Sequence, residues 1–272
     1  MSPLRPWLRR VLAVVSVIAV LPAGSALAGT PGCTGDTTIG AYAPSLARFF
    51  LRNSNDSGLA DAGSFLFQAT NRIPIAGDWD GDCDDTIGVY DSATARFFLR
   101  NTNSNGLADG GSFLFQEPGR IPIAGDWDGD GDVTIGAYEP TTGRFFLRNS
   151  NDNGLADGGS FRFQLPNRLP IVGDWDGDGD DTIGVYDPST GRFFLRNTNS
   201  AGLADASFLF QLPNRIPIAG DWDGDGTDTI GVYDASTGRY ILRNANSNGL
   251  ASASFLFQAA GRTPLAGNWD NN

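Results

Sequence analysis

Four short segments of this chain place carboxylates at alternating positions: Asp78-Trp79-Asp80-Gly81-Asp82, Asp126-Trp127-Asp128-Gly129-Asp130, Asp174-Trp175-Asp176-Gly177-Asp178 and Asp221-Trp222-Asp223-Gly224-Asp225. Side chains at the first, third and fifth places of such a loop converge on one centre, and a glycine at the sixth place lets the chain turn back. Hard oxygen donors in this spacing suit Ca²⁺, which takes about six to eight of them. The four copies are expected to hold about four calcium ions. They are not EF-hands: the twelfth place, where a bidentate Glu belongs, is Val89, Ala137, Val185 or Val232, and the flanks read as strands rather than helices.

Other chemistry has little to stand on. The chain has no His, the commonest general base. Its only Glu residues, Glu117 and Glu139, fall at non-equivalent places, and no nucleophile has an adjacent base. The Asp pairs that could act as glycosidase acids are the ones a calcium ion needs. All 19 basic residues are Arg, against 31 acids. So negative a chain is a poor partner for the phosphate backbone of nucleic acid. Twenty of the 31 acids lie in the four loops and a fifth, split loop, so the surplus charge reads as cation binding rather than an acidic tail.

The loops belong to a repeat. IPIAGDWDGD (Ile73 to Asp82) returns from Ile121, Leu169 and Ile216, and a degraded copy, TPLAGNWDNN, follows at Thr263; the spacings are 48, 48, 47 and 47 residues. A fixed period of this length means one supersecondary unit repeated. In the unit from Arg120, Ile121 to Ala124 reads as a strand, Asp126 to Asp132 as the Asp/Gly loop, and Thr134 to Tyr138 as a second strand. Pro140 to Gly143 is a turn, Arg144 to Arg148 a third strand, Asn149 to Gly159 a polar loop and Ser160 to Gln164 a fourth strand. Both faces of such a sheet look apolar, since Phe145 and Leu147 alternate with Phe146, and Phe113 and Phe115 flank Leu114. Radial packing covers two apolar faces, so the expected fold is an all-β propeller of four-stranded antiparallel blades.

The repeat phase argues for a closed ring. TIGxY, the second strand, occurs five times, from Thr38, Thr86, Thr134, Thr182 and Thr229, but the first of these has no preceding first strand. The last first strand, from Thr263, has nothing after it. Five blades over residues 29–272 are expected, the ring closed by Thr263–Trp269 pairing with Thr38–Tyr42.

The N-terminus reads as a secretory signal over residues 1–28: Arg5, Arg9 and Arg10 precede an apolar run from Val11 to Leu21, then Ala26-Leu27-Ala28. The run is short for a membrane span, and no later stretch is apolar enough to cross. Cleavage would leave 16 Arg against 31 acids, a net charge of −15. The two cysteines, Cys33 and Cys83, lie in loops of adjacent blades and are expected to pair in an oxidising compartment.

The motif GDWDGDGxDTIGVY and its setting resemble the FG-GAP and VCBS repeats of integrin-type propellers, over essentially the whole chain after the signal. The resemblance implies calcium between the first and second strands of each blade. Its side-chain ligands would be Asp78, Asp80 and Asp82; Asp126, Asp128 and Asp130; Asp174, Asp176 and Asp178; and Asp221, Asp223 and Asp225. It also implies a seventh-place backbone carbonyl, from Asp84, Asp132, Asp180 or Thr227. The family's ninth-place Asp is Thr here (Thr86, Thr134, Thr182, Thr229); Asp85, Asp181 and Asp228 stand one place earlier, with Val133 in the second loop. Cys83 replaces the turning glycine of the first loop. The fifth loop, split between Asn268, Asp270, Asn272 and Asp36, has lost most of its charge.

The functional expectation is a secreted, calcium-stabilised binding or adhesion module for a glycan or a surface protein. A carbohydrate-active enzyme on a propeller scaffold and a purely structural repeat are the alternatives, and fold alone does not choose among them. Trp79, Trp127, Trp175, Trp222 and Trp269 are expected between blades rather than as a sugar-stacking ring. The Asn-rich loops from Asn53, Asn101, Asn149, Asn197 and Asn244 are expected to be self-bonded hairpins.

Overall fold

The computed structural model describes residues 35–270, so the expected signal segment and Cys33 lie outside the described residues. Among these described residues, twenty strands form five four-stranded antiparallel sheets. The first described strands are β1 (Thr38–Ala43), β2 (Arg48–Leu51) and β3 (Gly63–Leu66). Four complete blades follow. They are β4 (Ile73–Gly77) to β7 (Gly111–Leu114) through β5 (Thr86–Asp91) and β6 (Arg96–Leu99), and β8 (Ile121–Gly125) to β11 (Gly159–Arg162) through β9 (Thr134–Glu139) and β10 (Arg144–Leu147). Next come β12 (Leu169–Gly173), β13 (Thr182–Asp187), β14 (Arg192–Leu195) and β15 (Ala206–Leu209). The last are β16 (Ile216–Gly220), β17 (Thr229–Asp234), β18 (Arg239–Leu242) and β19 (Ala253–Leu256), before β20 (Thr263–Gly267).

Strand β20 closes the ring. It pairs with β1 in the order β20-β1-β2-β3, from Thr38 opposite Gly267 to Tyr42 opposite Thr263. The pairing is shorter than expected at one end, because Trp269 leaves the ladder and its indole Nε1 donates to the Ile39 carbonyl at 3.2 Å. The first strands β4, β8, β12, β16 and β20 neighbour one another around the axis, and the fourth strands lie outermost.

The core is a set of blade-to-blade seams. Trp79 packs with Ala124, Val133 and Ile135 of the next blade, Trp127 with Val172, Ile183 and Val185, and Trp175 with Ala219, Ile230 and Val232. Trp222 meets Ile39, Ala41 and Ala266, and Trp269 meets Ala76, Ile87 and Val89. The five indoles are thus buried between blades, as expected. The second face of the fourth strand is less covered than its composition suggested. Phe113 and Phe115 are buried, but Leu66, Leu114, Leu209 and Leu256 are 44–46 % exposed, because no further strand lies outside them.

Candidate metal centres

Each Asp/Gly loop connects the first and second strands of a blade, and each Asn-rich loop connects the third and fourth. In an antiparallel meander these two connections emerge at the same end. The Asp loops and the Asn-rich loops therefore share one face of the ring. The turns between second and third strands, such as Pro140 to Gly143, occupy the other face.

The local folding of each loop starts from its first Asp. Asp126 Oδ1 accepts the Asp130 N–H at 3.2 Å and Oδ2 the Gly131 N–H at 2.9 Å. Asp78 accepts from Asp82 and Cys83, Asp174 from Gly177 and Gly179, and Asp221 from Asp225 and Gly226 in the same way. The fifth Asp then takes the seventh residue's N–H, as Asp225 Oδ1 does from Thr227 at 2.9 Å. The third Asp is steadied from the neighbouring loop: Asn149 donates to Asp128, Asn197 to Asp176 and Asn244 to Asp223, each at 2.7 Å.

In every full loop the structure brings the three expected side chains together. Asp78/Asp80/Asp82, Asp126/Asp128/Asp130, Asp174/Asp176/Asp178 and Asp221/Asp223/Asp225 each place carboxylate oxygens within 4.8 Å of one another, the first Asp buried and the other two exposed. Burial pushes the Asp126 carboxyl up to about 6, and neighbouring Asp130 adds to the effect. Asp78 and Asp221 are raised for the same leading reason. Asp80, Asp128 and Asp176 are raised by partial burial, then by the adjacent fifth-place Asp. A cation inside each triad removes both penalties. The donor set, hard anionic oxygens without His or thiolate, fits Ca²⁺ or another hard divalent ion. Asp84 Oδ1, buried without a hydrogen-bond partner, is a further donor left to a cation.

The seventh, eighth and ninth places behave differently from the single-loop picture. The seventh-place side chain leans over the preceding blade's loop: a Cβ on Gly81 would collide with the Asp132 carboxylate, one on Gly129 with Asp180 and one on Gly224 with Asp36. The glycine at that fourth place has φ of +67 to +74° and is needed for both the turn and this approach.

The eighth place clamps blades together. Asp181 N–H donates to the Asp126 carbonyl at 2.7 Å while Asp181 Oδ2 accepts the Asp126 N–H at 3.0 Å. Asp228 does the same to Asp174, Asp85 to Asn268, and Thr37 to Asp221. Val133 keeps only the backbone half, to Asp78. Asp85 and Asp228 are driven well above the ordinary carboxylate range by complete burial. The ninth-place Thr hydroxyls donate to the last glycine of the first strand, as Thr134 Oγ1 does to Gly125 O at 3.3 Å. Neither place belongs to the three carboxylates that each loop brings together.

Cys83 adopts φ of +74° at the turning-glycine position and is disulfide-bonded.

The Asn-rich loops are self-bonded, as expected, and their centre is an arginine. Arg100 donates from Nη1 to the Leu107 carbonyl at 2.7 Å and the Asp109 carboxylate at 3.1 Å, and from Nε to the Ser104 carbonyl at 2.9 Å. Arg52, Arg148, Arg196 and Arg243 repeat the bond to the equivalent Leu carbonyl. Asp157 accepts the Asn149 N–H and pairs with Arg148, which hold it low. A second Asn ties each loop to the Asp loop beside it, as Asn151 Nδ2 does to the Val133 carbonyl at 2.8 Å.

The fold and these sites define a five-bladed β-propeller with an Asp triad in four of its blades. Compared with protein families, with curated proteins and with solved structures, the chain matches none.

Proposed function

We propose that the protein is a secreted, calcium-loaded propeller that acts as a non-catalytic binding or adhesion module of the FG-GAP/VCBS type, with a glycan or a surface protein as its ligand. The carrying observation is the repetition of one Asp triad in four blades of a ring whose Asn-rich loops crowd the same face. Each triad binds Ca²⁺ through its three side chains, with Asp84, Asp132, Asp180 or Thr227 contributing from the seventh place. The ion fixes the loop and, through the Asn bridges to Asp128, Asp176 and Asp223, the Asn-rich loop beside it. Secretion is supported by the Arg-then-apolar N-terminus. A Cys33–Cys83 disulfide is supported by the chain holding only these two cysteines.

The test is calorimetric titration of the chelator-treated protein with Ca²⁺, Mg²⁺ and Mn²⁺, followed by glycan-array and cell-surface binding with and without EDTA. About four calcium equivalents and EDTA-sensitive retention support the reading. Absence of calcium heat removes it, and steady release of reducing ends from a polysaccharide panel replaces it with an enzyme.

A further inference from the structure

At the end of the ring away from the Asp loops, four of the five blades set an acid between two arginines. The second strand ends on the acid, flanked by the arginine that leads into the first strand and the arginine that opens the third. In the blade of β4 to β7 the row is Arg72, Asp91 and Arg96. Arg72 Nη1 lies 2.8 Å from Asp91 Oδ2, and Arg96 stands opposite Asp91 in the ladder. Arg120–Glu139, Arg168–Asp187 and Arg215–Asp234 repeat the ion pair at 3.9, 3.6 and 3.0 Å. Each acid also holds the turn that follows it, as Asp187 Oδ1 does by accepting the Ser189 N–H at 3.0 Å.

The blade closed by β20 breaks this rule. Ala43 stands where the acid belongs: it lies opposite Arg48 in the ladder and one place beyond the Tyr42–Thr263 pair, across from Arg262. The turn survives the loss, because Pro44–Leu46 form a 3₁₀ helix in which the Ala47 N–H donates to the Pro44 carbonyl at 3.4 Å. The arginines are not compensated. All 31 acids of the chain lie between Asp36 and Asp270, and no ion pair among the described residues includes Arg262 or Arg48. Arg48 donates to the Ser64 hydroxyl at 3.1 Å. Arg262 keeps the pose of its relatives over an aromatic ring, its guanidinium carbon 5.5 Å from the Phe50 centroid, and its Nε is buried without a hydrogen-bond partner.

We propose that Arg262, with Arg48 beside it, is an anion site that takes a carboxylate from outside the chain in the place of the missing side chain. A guanidinium binds a carboxylate through two parallel N–H···O bonds, and a buried donor left unpaired costs free energy. An external carboxylate therefore gains at Arg262 what Asp91 gains at Arg72. The charge distribution admits it. Eleven of the 16 arginines in residues 36–270 lie at this end of the ring with five of the 31 acids, while the other 26 acids lie at the Asp-loop end. The four paired acids keep 11–31 % of their side-chain surface exposed, so the equivalent point over Ala43 is at the solvent boundary. The ligand class is a compact carboxylate, free or carried by a sugar acid. The inference rests neither on the calcium reading nor on the adhesion role proposed above.

The experiment follows the Arg262 Nε–H signal by ¹⁵N NMR while sodium chloride is exchanged for sodium acetate or sodium glucuronate. Ionic strength is held constant, so general screening does not change. The Tm is recorded on the same solutions. Arg262→Gln, Ala43→Asp and, at the rim of the same end, Arg162→Gln are run beside the parent. The expected result is a saturable shift of the Arg262 signal and a higher Tm in either carboxylate. The Tm response is kept in R162Q and lost in R262Q. Ala43→Asp supplies the acid internally, so it should melt above the parent in chloride and respond to neither carboxylate. Tighter binding of glucuronate than of acetate assigns the ligand to sugar acids, and equal binding to small carboxylates at large; both uphold the site. A shift that chloride produces equally, or that never saturates, overturns the proposal. A carboxylate response that survives in A43D also overturns it, since an anion acting at the Asp-loop end would act on that variant too. Should R262Q fail to fold, the Arg262 signal and A43D decide the matter.

Discussion

Stripping the metal should reverse the ordinary pH dependence of stability. Asp126 is the clearest case: burial raises its carboxyl from about 3.8 to about 6 in the folded protein. A group raised on folding contributes its stability below its unfolded value and loses it as pH climbs through the folded one. Each tenfold change in acidity is worth about 1.4 kcal/mol, so Asp126 alone withdraws about 3 kcal/mol between about pH 4 and pH 7. Asp78, Asp221, Asp85 and Asp228 are raised as well and act in the same sense. The lowered acids, Asp56, Asp157, Asp187 and Asp234, lose their contribution only below the ordinary carboxylate range, outside this window. On the proposed calcium loading, the ion would bind the anionic form and offset the withdrawal. At about 1 mM Ca²⁺ and a Kd on the order of 10⁻⁴ M, each site adds about 1.4 kcal/mol, and four add about 5–6 kcal/mol. The assay is thermal unfolding by circular dichroism at about pH 4.5 and about pH 7.5, in EDTA and in Ca²⁺. The expected Tm of the metal-free protein falls as pH rises, and the calcium increment grows. A metal-free Tm that rises across the window, or an equal calcium increment at both ends, refutes the reasoning.

At the eighth place, Asp228→Asn keeps an acceptor for the Asp174 N–H and removes a carboxyl whose ionised form burial disfavours, so the metal-free variant should melt higher at pH 7. Asp228→Ala orphans that N–H and should cost about 1–3 kcal/mol by urea unfolding. Gly106→Ala drives a methyl into the Arg100 guanidinium and should cost about 1–3 kcal/mol by the same measurement, while Thr102→Ala at the exposed edge of that loop stays within about 0.5 kcal/mol of the parent. Reduction of the disulfide should lower stability by about 2–4 kcal/mol, read as a Tm difference with and without reductant, and a Cys83→Ser variant should be insensitive to reductant.

The fold was legible because its signals repeat at short range. Strand phase, the Pro/Gly turns and the incomplete repeats at both ends predicted five blades and the Thr38–Tyr42 partner of the last strand. The Asp triads were equally legible, since first, third and fifth places lie in one loop. What escaped the sequence acts between copies. Asp181 reads as a spare ligand next to its own loop, yet its partner is the backbone of Asp126, 55 residues back in another blade. The lean of Asp132 over Gly81 is hidden for the same reason. The shared face of the Asp and Asn-rich loops was derivable from strand parity alone. The exposure of Leu114 was not: alternation marks a side chain's face, but only the position of β7 at the rim decides whether anything covers it.

Pairing β20 with β1 also imposes an order on the chain's birth. Thr38 and Gly267 are 229 residues apart, so the inner edge of the sheet that β1 begins waits for a strand made long after it. At about 5–20 residues per second that interval is on the order of 10–45 s. Throughout it, β1 presents unsatisfied amides to any other extended segment, including β4, β8, β12 and β16, each of which resembles the strand it awaits. Those four are each followed within a few residues by their own second strand, and a nearby partner closes a shorter loop at lower entropic cost. Local capture of each early first strand thus keeps β1 open for Thr263–Gly267, made far later.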